Sequence, residues 1–309
     1  MCLIGLALDA HPRFPLLIAA NRDEFRSRPT QALHWWTDRP PGAVPVLGGR
    51  DLQAGGGWML LSPQGRLALL TNVRAPAWQR PEARSRGELP LGWLESRAEA
   101  EAWAAAHPPA AHNGHNLLLG VLDPAGRGAG RWHALQAGHG AFAPGLQALG
   151  PGVHGVSNAA LDTPWPKLRR LKSALAEALA GLPRQAAEDL PPEATDDDAA
   201  ETLARQLFTA LADTHPADPG ELPSTGVSPD WERWLSPCFI RTPDGRYGTL
   251  SSSVLLLERR AGGSRLLWIE RSHAAEAGAP ARERRITLPW PPGPAALPQV
   301  EEVPQGPVR

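Results

Sequence analysis

Apolar runs separated by turn residues fill the first half of the chain. The run Cys2–Leu8, a turn with two prolines at 9–15 and a second run at 16–20 predict two buried antiparallel strands. The same pattern predicts further strands at 58–61, 67–72, 117–122, 132–135 and 152–156. The chain is therefore expected to begin inside the core rather than at the surface.

Helical periodicity dominates the middle of the chain. Apolar residues recur every three to four positions at Leu168, Leu171, Leu175, Ala178 and Leu182, and the spacing repeats at 203–211. Segment 84–107 is also predicted to be helical, with a break near Pro90, and strands resume at 239–240, 247–257, 265–269 and 285–288. We predict stacked sheets flanked by helices in one domain, residues 1–289, followed by a proline-rich tail at 290–309.

Composition narrows the class of protein. The 309 residues are 42 % hydrophobic and 20 % charged, which is ordinary globular composition and excludes collagen, a coiled coil and a disordered chain. The 31 basic and 32 acidic residues give a net charge of −1, so we expect no nucleic-acid partner. No apolar stretch is long enough to span a membrane, and the N-terminal run lacks the basic flank of a signal peptide.

Metal, cofactor and disulfide chemistry have no motif in the sequence. The two cysteines, Cys2 and Cys238, form no CxxC pair, which suits a reducing compartment, so a cytoplasmic location is expected. The ten histidines show no paired metal-ligand spacing. The glycine-rich segment 48–57 lacks the Lys-Ser or Lys-Thr of a phosphate-binding loop, and we interpret it as a structural loop. We expect neither a cofactor nor a metal.

Cys2 is the strongest candidate for chemistry. A methionine that precedes a small residue such as cysteine is normally removed, which would leave a free α-amine on Cys2 itself. That amine titrates near neutral pH, so one residue could supply both a nucleophile and its base. The alternative is a buried, inert cysteine in a first strand, which is common in proteins.

Polar residues at strand ends could complete such a site. Asn21-Arg22-Asp23-Glu24 follows the second predicted strand, at the end opposite the hairpin turn, and therefore lies beside Cys2. Arg22 could stabilise a thiolate and Asp23 could orient the amine, although a solvated charged turn is the alternative. Asn72 and Asn158 each end a predicted strand, where an amide either donates to an oxyanion or closes a turn.

Several blocks of this sequence resemble the NRDE family, also called the transport-and-Golgi-organisation family, in content and in order. The blocks are Met1-Cys2-Leu3, Asn21-Arg22-Asp23-Glu24-Phe25, Gly49-Arg50-Asp51-Leu52-Gln53-Ala54-Gly55-Gly56, Leu70-Thr71-Asn72-Val73-Arg74, Ser85-Arg86-Gly87-Glu88-Leu89, Asn113-Gly114-His115-Asn116-Leu117-Leu118, Gly155-Val156-Ser157-Asn158, Leu161-Asp162-Thr163-Pro164-Trp165-Pro166-Lys167, Leu222-Pro223, Thr225-Gly226 and Tyr247-Gly248-Thr249. The resemblance covers nearly the whole chain.

The resemblance implies an α+β fold, a four-layer αββα sandwich of antiparallel sheets similar to N-terminal-nucleophile hydrolases that cleave amide bonds. It makes Cys2 the nucleophile, Arg22 and Asp23 its electrostatic partners, Asn72 the oxyanion donor and Asn158 a donor that positions amine and substrate. One departure concerns Leu250, since relatives usually carry arginine after Tyr-Gly-Thr. Either Arg241 or Arg246 replaces that cation, or catalysis is weakened.

Two functions from different classes follow. The first is an amidohydrolase or acyltransferase that acts on a small-molecule amide or acyl substrate through an acyl-Cys2 thioester. The second is a non-catalytic carrier of haem or an acyl lipid, since eukaryotic members of the resembling family are linked to haem trafficking and lipid handling, and twelve tryptophans could line a pocket.

Overall fold

Fourteen strands form two antiparallel sheets in the computed structural model, which describes residues 2–184, 197–261, 263–274, 280–293 and 297–303. In chain order the strands are β1 Cys2–Leu8, β2 Leu16–Phe25, β3 Thr30–Trp35, β4 Leu47–Asp51, β5 Met59–Leu61, β6 Arg66–Asn72, β7 His115–Val121, β8 Arg131–Ala137, β9 Gly145–Leu149, β10 Gly152–Val156, β11 Tyr247–Arg260, β12 Gly263–Ser272, β13 Arg282–Trp290 and β14 Glu301–Val303. The first sheet has the order β10-β1-β2-β11-β12-β13-β14, and the second runs from β3 to β9 in sequence order.

Helices cover the outer face of each sheet. The described α-helices are α1 Glu88–Glu95, α2 Ala100–Ala106, α3 Pro166–Ala180, α4 Asp197–Leu211 and α5 Pro229–Trp234. One apolar cluster lies between the two sheets, a second joins the first sheet to α3 and α4, and a third joins the second sheet to α1 and α2. The four-layer αββα architecture expected from the resemblance is therefore confirmed.

Burial on both faces explains the unbroken apolar run of β1. Side chains alternate along a strand, so Ile4 and Leu6 enter the core between the sheets while Leu3 and Ala7 pack beneath the helices. Gly5 allows α3 to approach closely, because a Cβ there would lie 2.5 Å from the Leu175 side chain. The strand is consequently held between β10 and β2 and under α3.

Several predicted elements need correction. Pro90 does not break α1, because it lies in the first turn, where backbone N–H groups have no helical partner; the chain leaves the helix at Ser96 instead. The predicted strand at 239–240 is wrong, since these residues form a bend before the bridge between Arg241 and Gly248. Much of the glycine-rich segment is strand β4, with the loop following it.

The described residues of segment 290–309 contribute to the first sheet. Trp290 is the last residue of β13 and is 4 % exposed, while β14 pairs with β13 at the sheet edge. Trp35 Nε1 donates a hydrogen bond of 2.8 Å to Pro298 O, which joins this segment to the second sheet. The described part of the proline-rich tail thus covers an edge strand, as such edges require.

Candidate active site

Cys2 and Arg22 are directly opposite each other on neighbouring strands. The register of β1 with β2 pairs these two residues, which places both side chains on the face that looks toward the second sheet. Cys2 is 8 % exposed and Arg22 is 5 % exposed. Met1 lies outside the described residues. The hairpin therefore brings together the thiol and guanidinium that the sequence placed at one edge.

A cavity of about 460 Å³ opens where Cys2 ends the core between the sheets. Both sheets and the loop before α1 contribute to its wall. The lining residues include Cys2, Arg22, Asp23, Glu24, Arg28, Asp51, Trp58, Asn72, Arg84, Arg86 and Asn113. Its size is that of a small-molecule site, and it has the thiol of Cys2 in its wall.

The Arg22 guanidinium is held by groups from the second sheet. Its Cζ lies 4.4 Å from the centre of the Trp58 ring, and its Nη2 lies 3.6 Å from Asp51 Oδ2. The same oxygen accepts a hydrogen bond of 2.5 Å from Arg28 Nε. Arg22 is thus fixed beside Cys2, and it acts to lower the pKa of the Cys2 thiol, which burial raises above its ordinary value.

Asp23 is buried on the other face of β2, because side chains alternate along the strand. Its Oδ1 accepts a hydrogen bond of 2.7 Å from Thr249 Oγ1, and its backbone oxygen accepts one of 3.0 Å from the Tyr247 hydroxyl. Burial raises the pKa of the Asp23 carboxyl, and the ammonium of buried Lys167 is the largest charge acting in the opposite direction. Strand β11 therefore holds Asp23 in place beneath the cavity.

Asn21, the first residue of the same block, has a structural task. Its Nδ2 donates hydrogen bonds of 2.9 Å to Leu211 O and 2.8 Å to Cys238 O, while its Oδ1 accepts one of 2.6 Å from Ser252 Oγ. It ties the end of α4 to the first sheet. The block thus serves both the cavity and the helix layer.

Asn72 and Asn158 meet at the opposite wall, and only Asn72 lines the cavity among the residues described there. Asn158 Nδ2 donates a hydrogen bond of 2.8 Å to Asn72 O, and Arg74 N donates one of 2.8 Å to Asn158 O. The hydroxyl of Ser157, the residue before Asn158, donates a hydrogen bond of 3.2 Å to Cys2 O. Asn158 therefore fixes the position of the Asn72 backbone, while the segment it belongs to contacts Cys2.

Two buried cations beside the site were not singled out from the sequence. Lys167, 1 % exposed on α3, donates a hydrogen bond of 3.0 Å to Leu235 O, and burial lowers the pKa of its ammonium to about 8 against the attraction of Asp23. Arg74 forms a buried ion pair with Glu232. Both residues occur in the family-like blocks, but no local pattern distinguishes a buried charge from a solvated one.

The Cys2 cavity contains arginines although position 250 is a leucine. Leu250 lies at a register shift in β11 and lines a separate cavity of about 320 Å³ with Arg26, Glu270 and His273. Neither Arg241 nor Arg246 belongs to the Cys2 cavity, whose described lining contains Arg22, Arg28, Arg84 and Arg86. Cations therefore reach the Cys2 cavity from other elements than the one the resemblance pointed to.

Aromatic and metal-binding groups are sparse at this site. Trp58 is the one tryptophan in the described lining of the Cys2 cavity, whereas Trp93, Trp103, Trp132 and Trp268 are fully buried in the cores. Within the part of the chain that the structure describes, no three His, Cys, Asp or Glu side chains are grouped to hold a metal ion.

Among the described helices, none has the length and apolar character needed to cross a membrane.

Comparison with known proteins assigns the chain to a family. The sequence profile named Transport and Golgi organisation 2 matches residues 1–274. The chain belongs to the Transport and Golgi organisation 2 family. The NRDE resemblance is thereby confirmed, over nearly the whole described structure.

Relatives from animals match this chain over most of its length. The Bos taurus Transport and Golgi organization protein 2 homolog is 31 % identical over 274 residues, which cover 84 % of this chain and 89 % of the relative. The Homo sapiens homolog is 29 % identical, with the same shares covered, and the Drosophila melanogaster protein is 25 % identical over 84 % of this chain and 88 % of its own.

Solved structures of similar shape include two hydrolases. An N-acylethanolamine-hydrolyzing acid amidase ortholog from Caenorhabditis elegans aligns with a TM-score of 0.42 and 11 % identity over 82 % of this chain and 92 % of its own. The C2A mutant of a conjugated bile acid hydrolase from Clostridium perfringens aligns with a TM-score of 0.42 and 10 % identity over 98 % and 97 %.

Proposed function

We propose that this member of the Transport and Golgi organisation 2 family is an N-terminal cysteine amidohydrolase or acyltransferase. It acts on a small, non-peptide amide through an acyl-Cys2 thioester, after removal of Met1. The observation that carries the proposal is the pairing of Cys2 with Arg22 at the wall of the 460 Å³ cavity, with Asn72 contributed by the facing sheet. A nucleophile, a cation and an amide donor thus share one enclosed space.

The first step needs a base, because burial keeps the Cys2 thiol protonated at rest. In the mature chain the α-amine of Cys2 accepts the thiol proton as Sγ bonds to the carbonyl carbon. Asp23, fixed by Thr249 and Tyr247, would hold the resulting ammonium, and Asn72 would donate to the oxyanion. The C–N bond then breaks, and the ammonium returns its proton to the leaving amine.

The second step regenerates the thiol. Water, or an acceptor amine in a transferase, attacks the thioester carbon with the α-amine again accepting a proton, the C–S bond breaks and the proton returns to Sγ. Arg22 stabilises the negative charge on sulfur while it leaves, because its guanidinium is fixed on the neighbouring strand. Asn158 acts through Asn72 rather than on the substrate, since it donates to the Asn72 backbone.

The proposal includes a cytoplasmic location, since both cysteines are free and a nucleophilic thiol survives in a reducing compartment. Cys238 supplies an internal reference for reactivity. It is 1 % exposed, and burial raises the pKa of its thiol to about 12. A short, substoichiometric pulse of iodoacetamide at neutral pH should therefore modify Cys2 far faster than Cys238 in natively processed protein.

Intact mass before the pulse and peptide mapping after it test processing and activation together. Loss of Met1 with selective labelling of Cys2 supports the proposal and justifies a screen of acyl amides. Retention of Met1, or an inert Cys2 in folded protein, contradicts it. Carriage of haem or an acyl lipid is then the competing function, and Cys2→Ala distinguishes the two classes: a hydrolase loses turnover, whereas a carrier keeps its ligand affinity.

A further inference from the structure

Four arginines and three acidic residues form part of the described lining of the Cys2 cavity, and three of the four guanidinium groups have carboxylate partners. Arg22 and Arg28 share Asp51, and Arg84 pairs with Glu88 at 2.8 Å. Among the described residues, none places a carboxylate oxygen within 4.0 Å of the Arg86 side chain. A cavity-lining guanidinium that no carboxylate of the protein contacts directly can pair with the anionic group of a ligand.

The segment that carries Arg86 is fixed from both sides. Arg86 Nη1 donates a hydrogen bond of 3.0 Å to Gly114 O, which lies just before β7. The next residue, Gly87, accepts a hydrogen bond of 3.1 Å from Gly57 N, and Gly56 packs so closely on it that a Cβ there would lie 2.2 Å from Gly87 O. Both the backbone next to Arg86 and its guanidinium are therefore held in place, so the side chain presents its charge at a defined position.

The surroundings of Arg86 connect it electrostatically to the thiol. Burial lowers the pKa of the Arg86 guanidinium, while Glu24 and Cys2 act to raise it, so both groups lie within range of its charge. Glu24 is itself half-buried in the same wall, and its Oε1 already accepts a hydrogen bond of 2.8 Å from Phe25 N. The guanidinium keeps N–H groups for a ligand, because its one described hydrogen bond is the one to Gly114.

We propose that Arg86 is a specificity-determining residue that binds a carboxylate of the substrate, so that the enzyme acts on anionic amides such as N-acyl amino acids. The inference rests on the proposed function of Cys2 and names its substrate class. A guanidinium matches a carboxylate with two parallel hydrogen bonds, which gives orientation as well as affinity. An amide whose carboxylate contacts Arg86 would present its carbonyl carbon to Cys2 in one orientation.

Two alkylating reagents test the charge preference without a known substrate. Iodoacetate carries a negatively charged carboxylate, whereas iodoacetamide carries a neutral amide in its place. Each reagent forms an Sγ–C bond to Cys2 as iodide leaves. The rate ratio of iodoacetate to iodoacetamide at Cys2 of mature protein is divided by the ratio for free N-acetylcysteine. We expect this normalised ratio to exceed one, and Arg86→Gln to lower it by about tenfold, the size of a lost charge-assisted hydrogen bond.

Arg84→Gln is the matched control. Arg84 lines the same cavity, and its substitution removes the same positive charge as Arg86→Gln. Its side chain, however, is 68 % exposed and pairs with Glu88. This variant should keep the wild-type ratio. Arg86→Lys, which keeps the charge without the planar fork, serves if Arg86→Gln does not fold, and should give an intermediate ratio.

The outcomes separate the two proposals. A Cys2 that reacts with neither reagent contradicts the proposed function. A Cys2 that reacts with both at the ratio of N-acetylcysteine, unchanged in either Arg86 variant, overturns the carboxylate site and leaves the nucleophile in place. A fall of equal size in the Arg84 and Arg86 variants also overturns it, because the effect would then come from net charge alone.

Discussion

His115 should make this protein lose stability when the pH falls below about 6.5. The residue lies opposite Asn72 on β7, is 2 % exposed and shares a hydrogen bond of 2.9 Å between its Nδ1 and Asn113 O. Burial lowers its pKa to about 4 from an ordinary value of 6.5. The unfolded chain therefore binds a proton between these two pH values that the folded chain does not bind, so unfolding becomes easier as the pH falls.

The size of the effect follows from the two pKa values. At pH 7 the folded histidine is neutral and the unfolded one is about one-quarter protonated, so the contribution to stability is within about 0.2 kcal/mol of its full value. At pH 5 the unfolded histidine is protonated while the folded one is not, which costs about 2 kcal/mol of unfolding free energy. At pH 4 and below the loss levels off near 3 kcal/mol, because the folded state then also takes up the proton.

Urea unfolding of wild type and His115→Asn at pH 7 and pH 5 measures this contribution. Asparagine keeps a side-chain donor near the position of Nδ1 but does not titrate. The buried Glu270, whose pKa burial raises to about 6, titrates in the same range in both proteins and cancels in the difference. The loss between pH 7 and pH 5 should be about 2 kcal/mol smaller in the variant.

The comparison contains its own control. Between pH 7 and pH 8 proton binding at His115 changes the free energy of unfolding by less than about 0.2 kcal/mol, so the stability difference between wild type and variant should stay nearly constant. Equal losses in the two proteins between pH 7 and pH 5 would refute the reasoning, since a histidine that protonates freely in the folded state is not excluded from water as the structure shows.

Three substitutions test other contacts around the site, each by urea unfolding. Glu232→Gln removes the partner of Arg74, and since both side chains are 4 % exposed, the uncompensated charge should cost roughly 3–5 kcal/mol. Thr249→Val removes the 2.7 Å hydrogen bond to Asp23 and the 2.9 Å one from Ile240 N, and should cost roughly 1–3 kcal/mol; a loss below measurement would show that water replaces both bonds. Gly56→Ala places a Cβ 2.2 Å from a backbone oxygen and should cost roughly 1–3 kcal/mol, whereas a neutral result would mean that the loop yields.

The part of the site that depends on local pairing could be predicted from the sequence. A turn with two prolines between two apolar runs allows one simple antiparallel register, and that register is enough to place Cys2 beside Arg22. Asn72 was found for a similar reason, since a polar amide that ends an apolar strand lies where the chain leaves the sheet and the core. The pairing of Cys2 with Arg22 needs no knowledge of the second sheet.

Residues whose role depends on how the layers stack could not be predicted in this way. Arg86 falls in a segment predicted to be helical, but α1 begins only at Glu88. Arg86 lies in the loop before it, and the approach of that loop to Gly56 and Gly114 brings it to the cavity. Lys167 lies in the first turn of an amphipathic helix, where a lysine ordinarily faces water, but it is buried and hydrogen-bonded to Leu235 and Cys238, which follow α5. Strand β4 was missed because its two glycines suggest a loop, although Gly48 and Gly49 are required where Leu60 and Trp58 pack closely.

The hydrogen bonds from Tyr247 and Thr249 to Asp23 also affect the order in which the chain can fold during synthesis. Tyr247 and Thr249 reach Asp23 across 224 and 226 residues of sequence, and β2 finds its second neighbour only when β11 has left the ribosome. Pairings of such long range form late and slowly. A growing or truncated chain that ends before β11 would leave β2, with Arg22 and Asp23, as an unfinished edge of the sheet. Chemistry at the first residues would thus begin only after most of the chain has been translated.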